Sequence, residues 1–224
     1  MGRLKVGVLI SGRGSNLQAL IDAAAQPDYP AEIALVVSNR PGAQGLARAQ
    51  AAGIATALVD HTRFGRDRAA FESALTARLE AAGVALICQA GFMRIVTAGY
   101  VRHWWNRVLN IHPSLLPAFP GLDTHARALA AGVKLAGCTV HVVREAVDQG
   151  PIIGQAAVPV LPDDDADSLA ARVLRAEHRL YPRCLQLFAE GRVRIDDERA
   201  ILETGGEAEP LMVPDLPIGG EAAK

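Results

Sequence analysis

Over its first ninety residues the chain alternates short apolar, β-branched runs with segments of helical periodicity, and few architectures tolerate that alternation. Leu4 to Ile10 (LKVGVLI) is apolar without polar alternation, which is how a strand buried on both faces reads. A glycine turn, Ser11 to Asn16, follows, and from Leu17 the apolar positions Leu17, Leu20, Ile21 and Ala24 recur at helical spacing. The unit then repeats. Ile33 to Val37 predicts a strand, Asn39 to Gly42 a turn, Leu46 to Ala52 a helix stopped by Gly53, and Thr56 to Val59 a short strand. A helix over Asp67 to Ala82 feeds a strand over Val84 to Cys88. Strands and helices in this order build a parallel sheet through right-handed crossovers, so residues 1–105 read as a Rossmann-like half.

Past residue 106 the pattern changes. Arg107 to Ile111 (RVLNI) predicts another buried strand, but it runs into Pro113 to Gly121, whose prolines forbid regular structure. Gly137 to Val143 and Ile152 to Val160 predict two strands joined through Glu145 to Gly150, and so short a connection implies an antiparallel pair. Ser168 to Glu190 is the most strongly helical segment, with a kink or break expected at Pro182. The expectation is a single α/β domain over residues 1–195, with a mixed, mostly parallel sheet flanked by helices, in which residues 106–195 form the second half. Residues 196–224 read as an acidic extension, a strand fragment and then a mobile tail, because they hold eight acids against two bases together with Gly205-Gly206 and three prolines.

Composition excludes several classes. Half the residues are hydrophobic, Gly and Pro are scattered, and 224 residues can bury a core without disulfides. Cys88, Cys138 and Cys184 lie far apart in apolar company and read as reduced, buried fillers. No leader pattern opens the chain and no apolar run reaches the length of a membrane span, so a cytoplasmic protein without membrane contact is expected. The net charge of -1 conceals a mildly basic body behind the acidic extension. Such a body suits a small anionic ligand and lacks the clustering that nucleic acid demands.

Chemistry can sit in the glycine turn Ser11-Gly12-Arg13-Gly14-Ser15-Asn16, because free N–H groups where a strand opens into a helix bind anions. The dinucleotide fingerprint fails there: Leu17 replaces the third glycine, and the second strand ends in Asn39-Arg40 rather than an acid. Without Gly-Lys-Ser/Thr the turn is not a P-loop either. Two readings stay open: a phosphate monoester held by Gly14, Ser15 and Asn16, or a plain tight turn in which Ser15 or Asn16 caps the helix.

None of the six histidines falls in a zinc spacing, so no metal site is expected. His112 stands two residues after Asn110, past a buried strand and before a proline-stiffened loop, where open parallel sheets bind ligands. An amide and an imidazole at i and i+2 of an extended segment point to one side. Together they can serve a developing oxyanion, with His112 also moving a proton. The plainer alternative is a histidine satisfied by loop backbone. Asp148, in Asp148-Gln149-Gly150-Pro151, either holds His112 protonated or forms an Asx-turn. Asp163, Asp164, Asp165 and Asp167 precede the long helix and read as caps. Glu177, His61 and His103 read as solvated, and Phe92 and Met93 as core.

Four segments, Val8 to Asn16, Ala90 to Val96, Asn110 to Pro117 (NIHPSLLP) and His141 to Pro151, resemble in order and spacing the folate-dependent phosphoribosylglycinamide formyltransferase family of purine synthesis, over about residues 4 to 195. The Asn-x-His-Pro-Ser-Leu-Leu-Pro motif belongs to the wider formyltransferase superfamily, and the Gly-Ser-Asn turn marks the glycinamide ribonucleotide branch. The resemblance implies that Gly14, Ser15 and Asn16 hold a substrate phosphate and Glu177 its ribose. It further implies a folate site lined by Arg68, by Met93, Arg94, Ile95 and Val96, by Asn110, and by the loop Arg144, Glu145, Ala146, Val147 and Asp148. Asn110, His112 and Asp148 match the catalytic trio, whereas Asp123 stands where some members have His.

The implied reaction is direct transfer of formyl from the cosubstrate 10-formyltetrahydrofolate to the amine of glycinamide ribonucleotide, with neither a metal nor a covalent intermediate. Two alternatives remain. One is a formyltetrahydrofolate deformylase, a hydrolase with the same trio whose usual N-terminal regulatory domain finds no room before Leu4. The other is a non-catalytic phosphate-binding module, which needs only the turn. A methionyl-tRNA formyltransferase would carry a further basic domain where this chain is acidic. Monomer and homodimer both agree with the sequence.

Overall fold

Val6, Val8 and Ile10 alternate with Leu9 along the first strand, so its side chains enter two separate apolar layers, one on each face of a sheet. The computed structural model describes residues 2–203. Within them lie strands β1 (Leu4–Ile10), β2 (Ala31–Ser38), β3 (Thr56–Leu58), β4 (Leu86–Gln89), β5 (Val108–His112), β6 (Leu135–Val142) and β7 (Ile152–Pro159), which form one sheet in the order β3-β2-β1-β4-β5-β6-β7. β1 to β5 run parallel, and β6 and β7 pair antiparallel, so the sheet is mixed and mostly parallel as the patterning implies.

Six helices connect the strands: α1 (Ser15–Ala24), α2 (Gln44–Ala51), α3 (Arg68–Ala81), α4 (Ala98–His103), α5 (Thr124–Ala130) and α6 (Ala166–Ala189). The layer containing Leu17, Leu20, Ala49, Ala128, Leu169 and Val173 collects α1, α2, α5 and α6 on one face. Phe71, Leu75, Leu79, Tyr100 and Trp104 place α3 and α4 on the other. The short helices α4 and α5 lie in stretches that the sequence pattern leaves unassigned. Cys88, Cys138 and Cys184 are buried and unbridged, and burial pushes each thiol up to about 12, which leaves them inert. No helix among the described residues is long and apolar enough to cross a membrane.

Two local expectations are corrected. Helix α1 is capped by Gly14, at φ 72°, with no side-chain hydrogen bond, so neither Ser15 nor Asn16 caps it. Glycine is required there because a Cβ would lie 2.7 Å from the Gly45 Cα, where the turn and α2 pack backbone against backbone. Helix α6 does not break at Pro182: it continues from Ala166 to Ala189 with the proline inside it. The flanking Tyr181 and Cys184 are buried in the core and the Pro182 carbonyl accepts a 2.6 Å hydrogen bond from Tyr29, so tertiary contacts hold a turn that propensity alone would open.

Of the acids at the start of α6, Asp165 caps it and Asp167 stands in its first turn. Asp165 forms a reciprocal capping box with Ser168, and Asp164 is paired with Arg172, which holds its carboxyl well below the usual range. Strands β8 (Val193–Asp196) and β9 (Arg199–Leu202) form a hairpin that straddles residue 196 and packs β9 against β7. The mobile tail expected beyond it lies outside the described residues.

Candidate active site

Strand order reverses between β1 and β4: from β1 the chain moves outward to β2 and β3, and from β4 it moves the other way to β5. The carboxyl ends of parallel strands diverge at such a point and leave a crevice. Here a cavity of about 740 Å³ opens there, lined by Asn16 after β1, by Gln89 at the end of β4 and by Asn110 and His112 on β5.

Gln89, Asn110 and His141 are partners across β4, β5 and β6, so their side chains leave one face of the sheet and all three reach the cavity. His141 Nδ1 lies 3.1 Å from the Val142 carbonyl and must donate to it, which leaves Nε2 to accept from Asn110 Nδ2 at 3.2 Å. Burial, with help from His112, pushes this imidazole below its ordinary range against the opposing pull of the Val142 carbonyl and Asp148.

Asp148 is held at φ 57°, in the left-handed region that Asp tolerates better than most residues. No Asx-turn forms. Its Oδ2 instead accepts the Gly121 N–H at 2.9 Å and lies 3.3 Å from His112 Nδ1, while Oδ1 lies 3.7 Å from His141 Nε2. His112 Nε2 is 3.1 Å from the Phe119 carbonyl, so loop backbone satisfies one ring nitrogen and a carboxylate faces the other. Both partners are oxygens, and an imidazole that carries a proton on each nitrogen serves them both.

A second polar pair closes another part of the cavity. Asn16 Nδ2 donates to Glu177 Oε2 at 2.7 Å, and both side chains are buried. Glu177 is therefore not solvated, contrary to the sequence expectation: burial raises its carboxyl above the ordinary range, and the Asn16 hydrogen bond only partly opposes this. The sequence signal for this is positional, since Glu177 stands one turn after Val173 and one turn before Tyr181 on the buried stripe of α6.

Beyond β4 the chain turns along the cavity mouth. Met93 N–H donates to Ser11 Oγ at 2.8 Å, and Ser11 donates in turn to Asn39 Oδ1 at 2.6 Å, so this segment is pinned to the glycine turn. Phe92 is buried as expected, but Met93 is 59% exposed and Ile95 62%, so Met93 belongs to the mouth and not to the core. Arg94 and Val96 complete this wall, while Arg68 stands outside the lining and donates to the Ile95 carbonyl at 2.5 Å. On the opposite wall Arg144, Glu145 and Val147 line the cavity and Ala146 does not. The guanidinium of Arg144 lies 4.0 Å over the Trp105 ring and donates to Asn106 Oδ1 and to Glu198, both at 2.8 Å. Gly14 and Ser15 lie outside the cavity lining, and Ser15 lines a smaller pocket with Asp22, Arg48 and His178.

Asp123 lines the cavity as the N-cap of α5, beside His125, whose buried Nε2 has no partner and whose ring is pushed low by burial and then by His112. The sequence reading assigned no role to Gln89, His125 or His141. Strand register alone could have drawn attention to Gln89 and His141, as partners of Asn110 on either side. Among the described residues no group of three His, Cys, Asp or Glu side chains is arranged to hold a metal ion.

The family model described as formyl transferase matches residues 4–185. The chain is 52% identical over 198 residues to the trifunctional purine biosynthetic protein adenosine-3 of Drosophila melanogaster, a match covering 88% of this chain and 15% of that protein. It spans a fifth or less of the trifunctional relatives. To the phosphoribosylglycinamide formyltransferase of Haemophilus influenzae it is 43% identical over 206 residues, covering 92% of this chain and 96% of that one. A crystal structure of glycinamide ribonucleotide transformylase 1 from Symbiobacterium toebii superposes with a TM-score of 0.86 at 50% identity, over 89% of this chain and 94% of that chain.

Proposed function

The chain belongs to the formyl transferase family, and on that premise we propose that it transfers the formyl group of 10-formyltetrahydrofolate to the amine of glycinamide ribonucleotide, in the cytoplasm. The observation that carries the reading is that one cavity unites Asn110, His112 and Asp148 with the buried Asn16–Glu177 pair and with an apolar mouth. Glu177 and the carboxamide oxygen of Asn16 are acceptors, which suits the hydroxyls of a ribose. A phosphate is better served by backbone N–H groups of Gly14, Ser15 and Asn16 at the start of α1. Met93, Ile95 and Val147, with the backbone of Arg94 to Val96 and of Arg144 to Asp148, suit a flat heteroaromatic ring with a hydrogen-bonding edge.

In this scheme Asn110 gives one hydrogen of Nδ2 to His141 and the other to the formyl oxygen as negative charge develops on it. One well-placed donor is typically worth on the order of 10²–10³ in rate. His112 stabilises the same charge; as the tetrahedral intermediate collapses and the bond from the formyl carbon to the folate N10 breaks, it gives a proton to that departing nitrogen and regains one from the amine that has attacked, while Asp148 holds the imidazole in place and balances its charge.

The test is to mix the protein with 10-formyltetrahydrofolate, with and without glycinamide ribonucleotide, and to follow tetrahydrofolate by absorbance. Product that requires the ribonucleotide supports the transferase. Equal release without it makes the protein a deformylase, and no release in either mixture leaves a binding module.

A further inference from the structure

Between β4 and α4 the chain from Phe92 to Thr97 has neither helix nor strand to set its backbone, yet Phe92 to Val96 wall one side of the cavity. Side chains from outside the segment hold it instead. Ser11 takes the Met93 N–H, and two further fastenings come from α3, one turn apart: Arg68 donates to the Ile95 carbonyl at 2.5 Å, and Glu72 spends both carboxylate oxygens on Thr97. Oε1 accepts the Thr97 N–H at 2.7 Å, and Oε2 accepts the Thr97 hydroxyl. Glu72 is 5% exposed and shares the buried stripe of α3 with Phe71, Leu75 and Leu79. Packing that stripe needs no acid, and a carboxylate is costly to bury, so its presence calls for a reason beyond the core.

Peptide geometry supplies one. The Ile95–Val96 and Val96–Thr97 bonds are both trans, and in a trans peptide the C=O and the N–H point in opposite directions. Holding the Ile95 carbonyl from α3 therefore turns the Val96 N–H away from that helix, and holding the Thr97 N–H turns the Val96 C=O away as well. Val96 is left with a donor and an acceptor side by side, and it lines the cavity. Such a pair matches a heterocycle edge that itself carries a donor beside an acceptor. We propose that Glu72 is a positioning residue for the formyl donor: through Thr97 it fixes the peptide that presents the Val96 backbone to the folate ring, an inference that rests on the folate reading of this wall.

The experiment compares wild type, Glu72→Gln, Glu72→Leu and Thr97→Val by steady-state kinetics, by calorimetric titration with tetrahydrofolate and with glycinamide ribonucleotide, and by thermal melting. Glu72→Leu removes both acceptors and should raise the KM for 10-formyltetrahydrofolate and weaken tetrahydrofolate binding by about tenfold. Glu72→Gln keeps one acceptor oxygen and should show about a threefold effect. The kcat and the affinity for glycinamide ribonucleotide, whose proposed partners Asn16 and Glu177 lie on α1 and α6 across the sheet, should stay within about twofold. Thr97→Val keeps the N–H that Oε1 holds but loses the hydroxyl that caps α4, so it should melt lower while weakening folate binding no more than Glu72→Gln does. Unchanged folate binding in both Glu72 variants overturns the assignment. An equal loss toward glycinamide ribonucleotide also overturns it, as does a Thr97→Val variant as impaired toward folate as Glu72→Leu, because Glu72 would then only brace the fold or the cap. Should Glu72→Leu fail to fold, Glu72→Gln set against Thr97→Val decides the same question. If wild type itself binds no tetrahydrofolate, the folate reading fails and this assignment with it, whereas wild-type binding with unaffected variants removes only the role of Glu72.

Discussion

Asn110 and His141 face each other across β5 and β6 with Nδ2 and Nε2 3.2 Å apart, and His141 thereby fixes which way the Asn110 amide points. With Nδ1 committed to the Val142 carbonyl, Nε2 can only accept, so the amide must present nitrogen to it. His141→Leu should lower turnover by about tenfold while leaving both KM values nearly unchanged, and His141→Gln, which can still accept, should restore part of the loss. Steady-state kinetics on the two variants check this, and a rise in KM without a fall in kcat would assign His141 to binding.

His112 Nδ1 and Asp148 Oδ2 lie 3.3 Å apart, and the proposed reaction uses them as a unit. Either His112→Ala or Asp148→Ala should reduce turnover by about 10² or more with substrate affinities largely kept, and the double variant should lose little beyond the worse single one. Near-normal turnover in either single variant refutes the assignment.

Glu177 makes a pH prediction. Burial raises its carboxyl in the folded state above the unfolded value, so between the two values the folded protein binds more proton. Its contribution to stability is complete below the ordinary carboxylate range, is lost as pH rises through the raised value, and is a constant penalty above. Glu177→Gln keeps an oxygen to accept from Asn16 and removes the charge. It should melt higher than wild type at about pH 8, with the gap closing toward about pH 4, and should bind glycinamide ribonucleotide more weakly. A gap that widens on acidification contradicts the buried-acid account.

Arg144 and Glu198 form an ion pair of unequal partners, with side chains 8% and 59% exposed. Glu198→Ala should change unfolding free energy by less than about 1 kcal/mol, because an exposed carboxylate is well screened. Arg144→Ala loses the Trp105 face and the Asn106 hydrogen bond as well, and should cost about 1–2 kcal/mol and raise the KM for 10-formyltetrahydrofolate. Urea melts of both variants decide between these roles.

The parts of this architecture written in local pattern were legible from the chain. β1, its glycine turn and α1 are contiguous, and the NIHPSLLP segment carries Asn110 and His112 on one strand. What stayed hidden depends on elements distant in sequence. His141 gains its partner through pairing of β5 with β6, and Gln89 enters the cavity through pairing of β4 with β5. Glu177 reads as solvated because a charged residue on a helix usually is, yet its place between Val173 and Tyr181 is on the buried stripe and its partner lies 161 residues away. At Pro182 the converse holds, since the local signal for a break is overruled by packing.

The row of Gln89, Asn110 and His141 occupies one register on three adjacent strands. Their spacing is thus the step of the backbone ladder, about 4.8 Å per strand and about 10 Å from end to end. That length behaves as a ruler built into the sheet. Substitutions can alter what each graduation recognises, and the surrounding loops can deepen or roof the cavity. Neither can stretch the interval, because side-chain changes leave the backbone ladder as it is.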